Sequence, residues 1–493
     1  MIKFNDKDLI IYGAGMVGNL VRQYLELTGN AQNIRAFAIS DAIGCADYYG
    51  YKMLSIDSLK KYARKSTVLI ATFPAAQETI KSKLLELGFA NIVHMDYEMY
   101  QEMTDTYISK LRCKQKINGD YDVLYVASDN NKTSGAFLCL VDFAISMRKK
   151  GITSLIVLPE YGNGEEILIE HELDYIYIPS KTWLTRMDGR ECTWQERSDA
   201  DNFVAINRMK ELIGKHNIKL VHCNTTYANV GAIVAKELGV PVIWHMRENI
   251  FEQGYCYNDK EEFYNLINSS SKVIVVSDYL KKCYPDLRQE KVLTIYDGVD
   301  VGEYYEEREI FHNEKVKIVL VAAIYPLKRQ EDLIEAAAIL KEQGFDFQID
   351  IIGSGEKQYI DKLNYLIKKN RLEECVSLLG RKEKLREYYQ MYDISVICSK
   401  SESFGRVCVE SQLSGCIVIG AAAGATQEII EDKKTGFLYE CGSAADLAKK
   451  ITYAILHPIE SRIIAKAGQI KAMDFFSKEN SANRIYSIYR ELI

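Results

Sequence analysis

The chain of 493 residues is too long for a single hydrophobic core, so two to four domains are expected. Its content of 47% apolar and 26% charged residues is typical of a soluble globular protein. The net charge of −6 and the lack of a basic tract argue against nucleic acid as a partner. Twelve cysteines occur without a CxxC pair, so we expect reduced core thiols and neither a disulfide framework nor a zinc site.

The N-terminus has no signal-peptide pattern, and no run of about 18 apolar residues occurs that could span a membrane. We therefore expect a cytoplasmic protein. Peripheral contact with the inner face of the membrane stays open as an alternative.

Residues 1–105 are predicted to form a small Rossmann-like domain. A strand at residues 8–12 leads into Gly13-Ala14-Gly15-Met16-Val17-Gly18, which opens a helix. Gly13, Gly15 and Gly18 would let the backbone approach a phosphate, and Asp41 is the candidate ribose ligand. Two alternatives remain: a bound dinucleotide such as NAD(P) or a nucleotide, and a structural or docking role without a ligand.

Residues 106–119 are predicted to be a linker, and residues 120–299 a second α/β domain. A strand at residues 121–127 is followed by the polar loop SDNNKTSG, which ends at Gly135, and by a long helix. A later strand ends in His245-Met246-Arg247-Glu248, which makes His245 a candidate site residue.

A long polar loop is predicted between residues 180 and 200. Its aromatic and basic residues suit an acceptor sugar or a lipid–water boundary, but they could equally anchor the loop. These residues are Trp183, Arg186, Arg190 and Trp194.

Residues 300–475 are predicted to form a third α/β domain, followed by a C-terminal helix at residues 476–493. Its central stretch, residues 399–410, joins a buried strand to the N-terminus of a helix. Open α/β sheets bind ligands at such loops, and the helix N-terminus favours phosphate. Two carboxylates there, Glu402 and Glu410, could hold the sugar and the ribose of a sugar nucleotide.

The pair Glu402 and Glu410 forms a Glu-x7-Glu pattern within ESFGRVCVE, which resembles the signature of retaining glycosyltransferases of family 4. The turn at residues 296–300 and the segment at residues 424–430 also resemble this family, and the resemblance covers residues 120–490. It implies the GT-B fold, two Rossmann-like domains that face a cleft. The expected fold class is therefore α/β, GT-B with an additional N-terminal Rossmann-like domain, and the C-terminal helix should return to the acceptor-side domain.

The resemblance also implies roles for individual residues. Glu402, His245 and Lys328 would be catalytic, and Glu410 would hold the donor ribose. The other residues implied in donor binding are Arg329, Gly380, Arg381, Ser401, Phe404, Gly405 and Gly135. This chain departs from the family where it has Ala323 in place of the usual arginine, so Lys328 would carry more of the phosphate charge.

The predicted function is metal-independent transfer of a sugar, with retention, from a UDP- or GDP-sugar to a glycan or lipid-linked acceptor. Family association suggests bacterial surface polysaccharide synthesis. No metal or other cofactor is expected to be required for transfer. The alternatives are a non-catalytic sugar-nucleotide-binding scaffold and an epimerase or oxidoreductase that uses the first domain. Homo-oligomerisation is left open.

Overall fold

The protein is described by a computed structural model for residues 8–40, 46–72, 74–112, 117–180, 182–187, 199–312 and 315–493. Three large, mostly parallel sheets follow one another along the chain, each with helices on its faces. Asp41, Arg190 and Trp194, which the sequence singled out, lie outside the described residues.

The first sheet has six strands in the order β3-β4-β2-β1-β5-β6; the β3–β4 pair is antiparallel and the other pairs are parallel. The strands are β1 (Leu9–Tyr12), β2 (Ile34–Ile39), β3 (Ala46–Tyr48), β4 (Tyr51–Ser55), β5 (Thr67–Ile70) and β6 (Asn91–His94). The helices of this region are α1 (Met16–Leu27), α2 (Pro74–Glu86) and α3 (Tyr97–Arg112).

The second sheet has seven parallel strands in the order β15-β14-β12-β11-β7-β8-β9, beside a separate antiparallel ribbon of β10 and β13. The strands are β7 (Val123–Val126), β8 (Ser154–Leu158), β9 (Tyr175–Tyr177), β10 (Leu184–Arg186), β11 (Leu220–Asn224), β12 (Val242–Met246), β13 (Tyr255–Tyr257), β14 (Lys272–Val275) and β15 (Val292–Thr294). The helices are α4 (Gly135–Lys149), α5 (Glu165–Glu170), α6 (Asp199–Lys215), α7 (Val230–Leu238), α8 (Lys260–Ser269), α9 (Asp278–Cys283) and α10 (Val301–Tyr304).

The third sheet has six parallel strands in the order β18-β17-β16-β19-β20-β21. The strands are β16 (Val316–Val321), β17 (Phe347–Ile352), β18 (Val376–Gly380), β19 (Ile394–Ile397), β20 (Ile417–Ala421) and β21 (Phe437–Tyr439). The helices are α11 (Gln330–Glu342), α12 (Lys357–Lys369), α13 (Leu385–Tyr389), α14 (Arg406–Leu413), α15 (Thr426–Ile429), α16 (Ala444–Leu456), α17 (Pro458–Phe475) and α18 (Lys478–Leu492).

The central strands of the three sheets are continuous apolar runs, because parallel strands are covered by helices on both faces. The central strands β1, β7 and β19 are buried at every position. The α/β class expected from the sequence, with parallel Rossmann-like sheets, is confirmed. None of the helices within the described residues combines the length and apolar character that a membrane crossing needs.

The first and second sheets share one hydrophobic core. It runs from Leu20 of α1 and Met103 of α3 to Leu140 of α4. At the same interface the buried carboxylate of Glu165 accepts hydrogen bonds from the phenols of Tyr107 and Tyr177. The expected linker at residues 106–119 therefore begins inside α3, whose last turns belong to this core.

The last helix, α18, leaves the third sheet and packs against α4 beside the second sheet. Ile485 and Tyr489 are buried in the same core as Leu140. The hydroxyl of Tyr489 lies 2.6 Å from Nδ1 of His222 on β11. This helix therefore ties the two sheets that face the cleft to each other.

Candidate active site

A cleft of about 750 Å³ lies between the second and third sheets. One wall comes from the loop before α4 and from the ends of β11 and β12, and the other from the loops after β16 and β19. These are the carboxyl ends of parallel strands, where open α/β sheets bind ligands.

The centre of the third-sheet wall is an ion pair between Lys328 and Glu402. The Lys328 ammonium donates to Oε1 of Glu402 at 2.5 Å, and the Ser399 hydroxyl donates to the same oxygen at 2.7 Å. Burial lowers the pKa of Lys328, but Glu402 and the Tyr325 phenol outweigh burial and raise it overall. Lys328 is therefore a persistent cation within the cleft.

The backbone of the loop that carries Glu402 packs against the turn before α15. A side chain at Gly424 would bring its Cβ within 2.6 Å of the Glu402 backbone nitrogen, so this position requires glycine. The Ala425 N–H donates to the Glu402 carbonyl at 2.9 Å. These contacts fix the backbone from which Glu402 projects into the cleft.

Helix α14 begins directly after this loop and points its N-terminus at the cleft. Gly405, its N-cap residue, and Arg406, its first residue, both line the cleft, as does Phe404. The first N–H groups of a helix have no partners within it and carry partial positive charge. Arg406 adds a full charge, and its guanidinium donates to Sγ of Cys139 at 3.1 Å and to the Gly298 carbonyl at 3.3 Å.

The second-sheet wall carries Asp129, Arg247, Glu248 and Asp297. Arg247 is buried, forms an ion pair with Asp297 and donates to Oδ1 of Asn224 at 2.7 Å. Glu248 accepts from the N–H of Thr226 at 2.7 Å and also from its hydroxyl. Burial raises the pKa of Glu248 and that of Asp129.

Asp129 sits in the turn before α4, next to Gly135, which also lines the cleft. One carboxylate oxygen of Asp129 accepts from the Ser134 hydroxyl at 2.9 Å, and the other accepts from the Asn131 N–H at 3.0 Å. Ser134 is also the N-cap of α4 and accepts from the Phe137 N–H at 3.3 Å. The loop is thereby held against the cleft by its own polar side chains.

The structure brings Glu402, Lys328, Phe404, Gly405 and Gly135 together in the cleft, but other predicted site residues lie elsewhere. His245 is buried among aromatic and imidazole rings, with Nδ1 3.3 Å from both His222 Nε2 and Arg247 NH2. Burial, with smaller effects from Arg247 and His222, lowers the pKa of His245 well below its usual value. Its neighbour Arg247 is the group that reaches the cleft.

Glu410 is also buried, and its carboxylate lies 3.6 Å from Nε of Arg406 one turn earlier on α14. Burial raises the pKa of Glu410, and the Arg406 guanidinium opposes this rise. Glu410 therefore does not line the cleft in this structure, but it contacts Arg406, which does.

Three more predicted donor-binding positions do not line the cleft. The guanidinium of Arg329 forms two hydrogen bonds to Asp332, at 2.8 and 3.0 Å, and does not line the cleft. Gly380 and Arg381 are exposed at the end of β18.

Ser401 lies where the two walls meet. Its hydroxyl donates to Glu252, and it lies 3.3 Å from the Tyr279 hydroxyl. Nearby, the carboxylate of Glu428 accepts from the N–H groups of Asp278 and Tyr279 at 3.0 and 2.6 Å. These polar contacts join the two walls next to the cleft.

In the first sheet, Gly13, Gly15 and Gly18 form the turn between β1 and α1. A Cβ on Gly18 would lie 2.0 Å from the Gly13 carbonyl oxygen, whereas a Cβ on Gly15 would have no neighbour within 4 Å among the residues that the structure describes. Gly18 is thus required by helix–strand packing, and the surface above Gly15 is open. Of the remaining candidates in the long polar loop, Trp183 stacks on Trp244, and Arg186 lies over the Tyr255 ring.

Sequence reasoning did not select Asp129, Arg247, Glu248, Asp297 or Arg406 as site residues. The sequence did contain a local signal for three of these residues. Arg247 and Glu248 follow a predicted strand directly, and Arg406 stands inside ESFGRVCVE. Asp297 and Asp129 lie in turns, where aspartate is frequent for conformational reasons, so nothing local marked them.

Two Rossmann-like units that face a cleft, with a lysine–glutamate pair at a helix N-terminus between them, define a glycosyltransferase of the GT-B class. Residues 304–471 match the family "Glycosyl transferases group 1", and residues 133–303 match "Glycosyltransferase Family 4". The chain belongs to the family 4 glycosyltransferases and is a glycosyltransferase enzyme. These matches begin after the first sheet.

Individual relatives are distant. The chain is 27% identical over 289 residues to "Uncharacterized glycosyltransferase MJ1178" of Methanocaldococcus jannaschii, which covers 57% of this chain and 78% of that protein. It is 22% identical over 230 residues to "N-acetyl-alpha-D-glucosaminyl L-malate synthase" of Bacillus anthracis, which covers 47% of this chain and 58% of that protein.

Among solved structures, Anabaena Alr3699/HepE in complex with UDP and glucose superposes with a TM-score of 0.64 at 23% identity, covering 76% of this chain and 100% of that one. This similarity confirms the GT-B fold.

Proposed function

We propose that this enzyme transfers a sugar from a nucleotide-sugar donor to a glycan or lipid-linked acceptor, with retention of anomeric configuration and without a metal ion. The observation that supports this proposal most directly is the Lys328–Glu402 pair in the cleft, at the N-terminus of α14. UDP is the first donor nucleotide to test, because Anabaena HepE was solved with UDP and glucose. GDP is the second.

In this proposal the leaving diphosphate is neutralised by the protein alone. Lys328 and the N-terminus of α14 face the same part of the cleft, and Arg406 extends from that helix. Charge grows on the leaving phosphate oxygen in the transition state, so donors fixed there lower the barrier. Arg406 supplies a second cation in place of the arginine that the family usually has where this chain has Ala323.

The sugar lies beside Glu402. As the bond between the anomeric carbon and the phosphate oxygen breaks, the carbon gains positive charge, which the Glu402 carboxylate stabilises. The acceptor oxygen bonds to the same face of that carbon, and its proton passes to the departing phosphate oxygen. This front-face path gives retention without a protein nucleophile.

For the chain as a whole we propose a division into residues 1–105, a linker at 106–119, an acceptor-side domain at 120–299, a donor-side domain at 300–475 and the returning helix at 476–493. The first domain serves recognition, assembly or regulation. We place the acceptor in bacterial surface polysaccharide synthesis, on family association alone.

The test begins with a thermal-shift panel of UDP-, GDP-, ADP- and CMP-sugars, with NAD(P) included. The donor that stabilises the protein is then used in transfer assays, in which NMR of the product shows the anomeric configuration. Full activity in EDTA is expected. A strict need for Mn²⁺ or Mg²⁺, or an inverted product, would contradict the mechanism.

A matched pair of variants tests the cation assignment. Arg406→Ala should weaken donor binding, and the double variant Arg406→Ala with Ala323→Arg should recover part of it, because the second restores a cation to the same wall. A non-catalytic scaffold, the alternative function, would bind the donor without any turnover.

A further inference from the structure

The two walls of the cleft differ in charge. Among the described residues that line it, the second-sheet wall has three carboxylates, Asp129, Glu248 and Asp297, against the single guanidinium of Arg247. The third-sheet wall has Lys328 and Arg406 against Glu402 alone. The wall proposed for the acceptor is therefore net negative, and the wall proposed for the donor is net positive.

The cation on the acceptor wall is already neutralised. Arg247 is paired with Asp297, and its Nε donates to Asn224. Lys132, in the same loop as Asp129, donates instead to Glu166 at 2.7 Å and does not line the cleft. An anionic acceptor would meet Asp129 and Glu248 on a wall whose carboxylates outnumber its guanidinium, in a partly buried site where salt screens little.

The rest of this wall is rich in groups that bind hydroxyls. Ser128, Thr133, Ser134, Thr225, Tyr227 and Gln253 all line the cleft. Carboxylates and side-chain hydroxyls are good acceptors for sugar hydroxyl donors, and a hydrogen bond to a charged group is stronger than a neutral one. The wall therefore matches a neutral polyhydroxyl group.

We infer that the acceptor group entering this cleft is an uncharged, hydroxyl-bearing sugar, and that Asp129 and Glu248 exclude acidic acceptors. This inference rests on the proposed function, because it takes the second-sheet wall as the acceptor wall. It separates this enzyme from the relative named "N-acetyl-alpha-D-glucosaminyl L-malate synthase", because L-malate is an anion. In a lipid-linked acceptor, the phosphate would remain outside the cleft.

The experiment compares octyl β-D-glucopyranoside with octyl β-D-glucopyranosiduronic acid, which differ only at C6, where a carboxylate replaces the hydroxymethyl group. Binding of each to the full chain is measured in the presence of the nucleoside diphosphate that stabilises the protein most. We expect the neutral glycoside to bind about tenfold tighter or more, as expected for an uncompensated charge near two carboxylates. Equal or tighter binding of the acid would overturn the inference.

Two variants and a control identify the residues responsible. Asp129→Asn and Glu248→Gln should each reduce the preference for the neutral glycoside severalfold, whereas Glu170→Gln, which neutralises an exposed carboxylate on α5, should leave it unchanged. Melting temperatures check that each variant folds. An unchanged preference in both folded cleft variants would overturn the assignment.

Transfer from the sugar nucleotide to the same two glycosides is measured separately. If the neutral glycoside binds preferentially but no sugar is ever transferred, the acceptor inference is supported and the proposed transfer reaction fails. If transfer occurs and the acid is the better acceptor, the transfer reaction stands and the acceptor inference fails.

Discussion

Lys328 and Glu402 form an ion pair of 2.5 Å across the base of the cleft, although they are 74 positions apart in the sequence. Their side chains are 15% and 20% exposed, so the pair is sheltered but reachable by a ligand. Each group is the other's charge partner before the donor arrives. When the donor binds, the Lys328 ammonium can therefore exchange Glu402 for the diphosphate as its partner. The Glu402 carboxylate is then left facing the sugar.

Replacing Lys328 tests this arrangement. Lys328→Ala should lower kcat by roughly a hundredfold and raise the donor KM much less, since the leaving-group charge develops in the transition state. The control is Lys362→Ala, which removes an exposed ion pair with Glu331 away from the cleft and should leave both constants unchanged. A rise in KM with kcat intact would show that Lys328 only binds the ground state.

Glu410 gives a second prediction. Glu410→Ala should weaken donor binding by about 1.5–3 kcal/mol, whether it holds the ribose directly or fixes the Arg406 guanidinium. Calorimetry with the donor nucleotide measures the effect, and a melting temperature confirms the fold. The double variant Glu410→Ala, Arg406→Ala separates the two routes: additive losses indicate direct contact with the donor, and non-additive losses indicate action through Arg406.

Part of this site was predictable from the sequence because its elements are local. The loop at residues 399–410 and the helix that begins in it follow from an apolar strand and helix periodicity, and α14 begins at Arg406, inside this stretch. The fold class was predictable for the same reason. Buried parallel strands alternate with amphipathic helices along the whole chain.

One feature is local: Arg329 has a left-handed backbone, with a φ of 48°, and its guanidinium bonds Asp332 three residues along the chain. The other features depend on contacts between distant parts of the chain. His245 lies 3.3 Å from His222, and His222 is in turn bonded by Tyr489 of α18, from the far end of the chain. The charge of the acceptor wall combines turns that are more than a hundred residues apart, so it emerges only in the folded structure.

The buried imidazoles predict acid sensitivity. Burial, with a smaller effect of Arg247, lowers the pKa of His222 to about 3, and His245 is lowered in the same way. A histidine whose pKa is depressed on folding stabilises the protein fully above its unfolded pKa of about 6.5 and progressively less as the pH falls from there. Each histidine should therefore lower the free energy of unfolding below about pH 6.5 by up to about 1.4 kcal/mol per pH unit, whereas the raised pKa values of Glu248 and Glu410 act in the opposite direction.

Denaturant unfolding between pH 7.5 and 5 measures this slope. His222→Asn should be less stable at pH 7.5, because it loses the bond to Tyr489, but should show a shallower decline. His171→Asn, at an exposed histidine after α5, is the matched control and should keep the wild-type slope. Equal slopes in the wild type and in His222→Asn would contradict the buried neutral pair.

The last prediction concerns the turn between β1 and α1, where the geometry provides a clean pair of substitutions. Gly15 has open space around it, so Gly15→Asp and the neutral Gly15→Asn should both fold, whereas Gly18→Ala should destabilise the first sheet by collision with the Gly13 carbonyl. Deleting the first domain would be a poorer test. It would expose the core shared with α1 and α3 and leave Glu165 without the Tyr107 phenol.

Because the first domain is proposed to act in recognition, assembly or regulation, Gly15→Asp should leave transfer to a simple acceptor glycoside unchanged. If the turn binds a phosphate-containing ligand, Gly15→Asp should abolish the thermal shift that the ligand causes, and Gly15→Asn should retain more of it, because only aspartate adds a negative charge at the helix N-terminus. Loss of transfer in Gly15→Asp, with the melting temperature unchanged and activity retained in Gly15→Asn, would instead mean that the turn holds an anion the reaction needs. That outcome would place the first domain within the catalytic cycle.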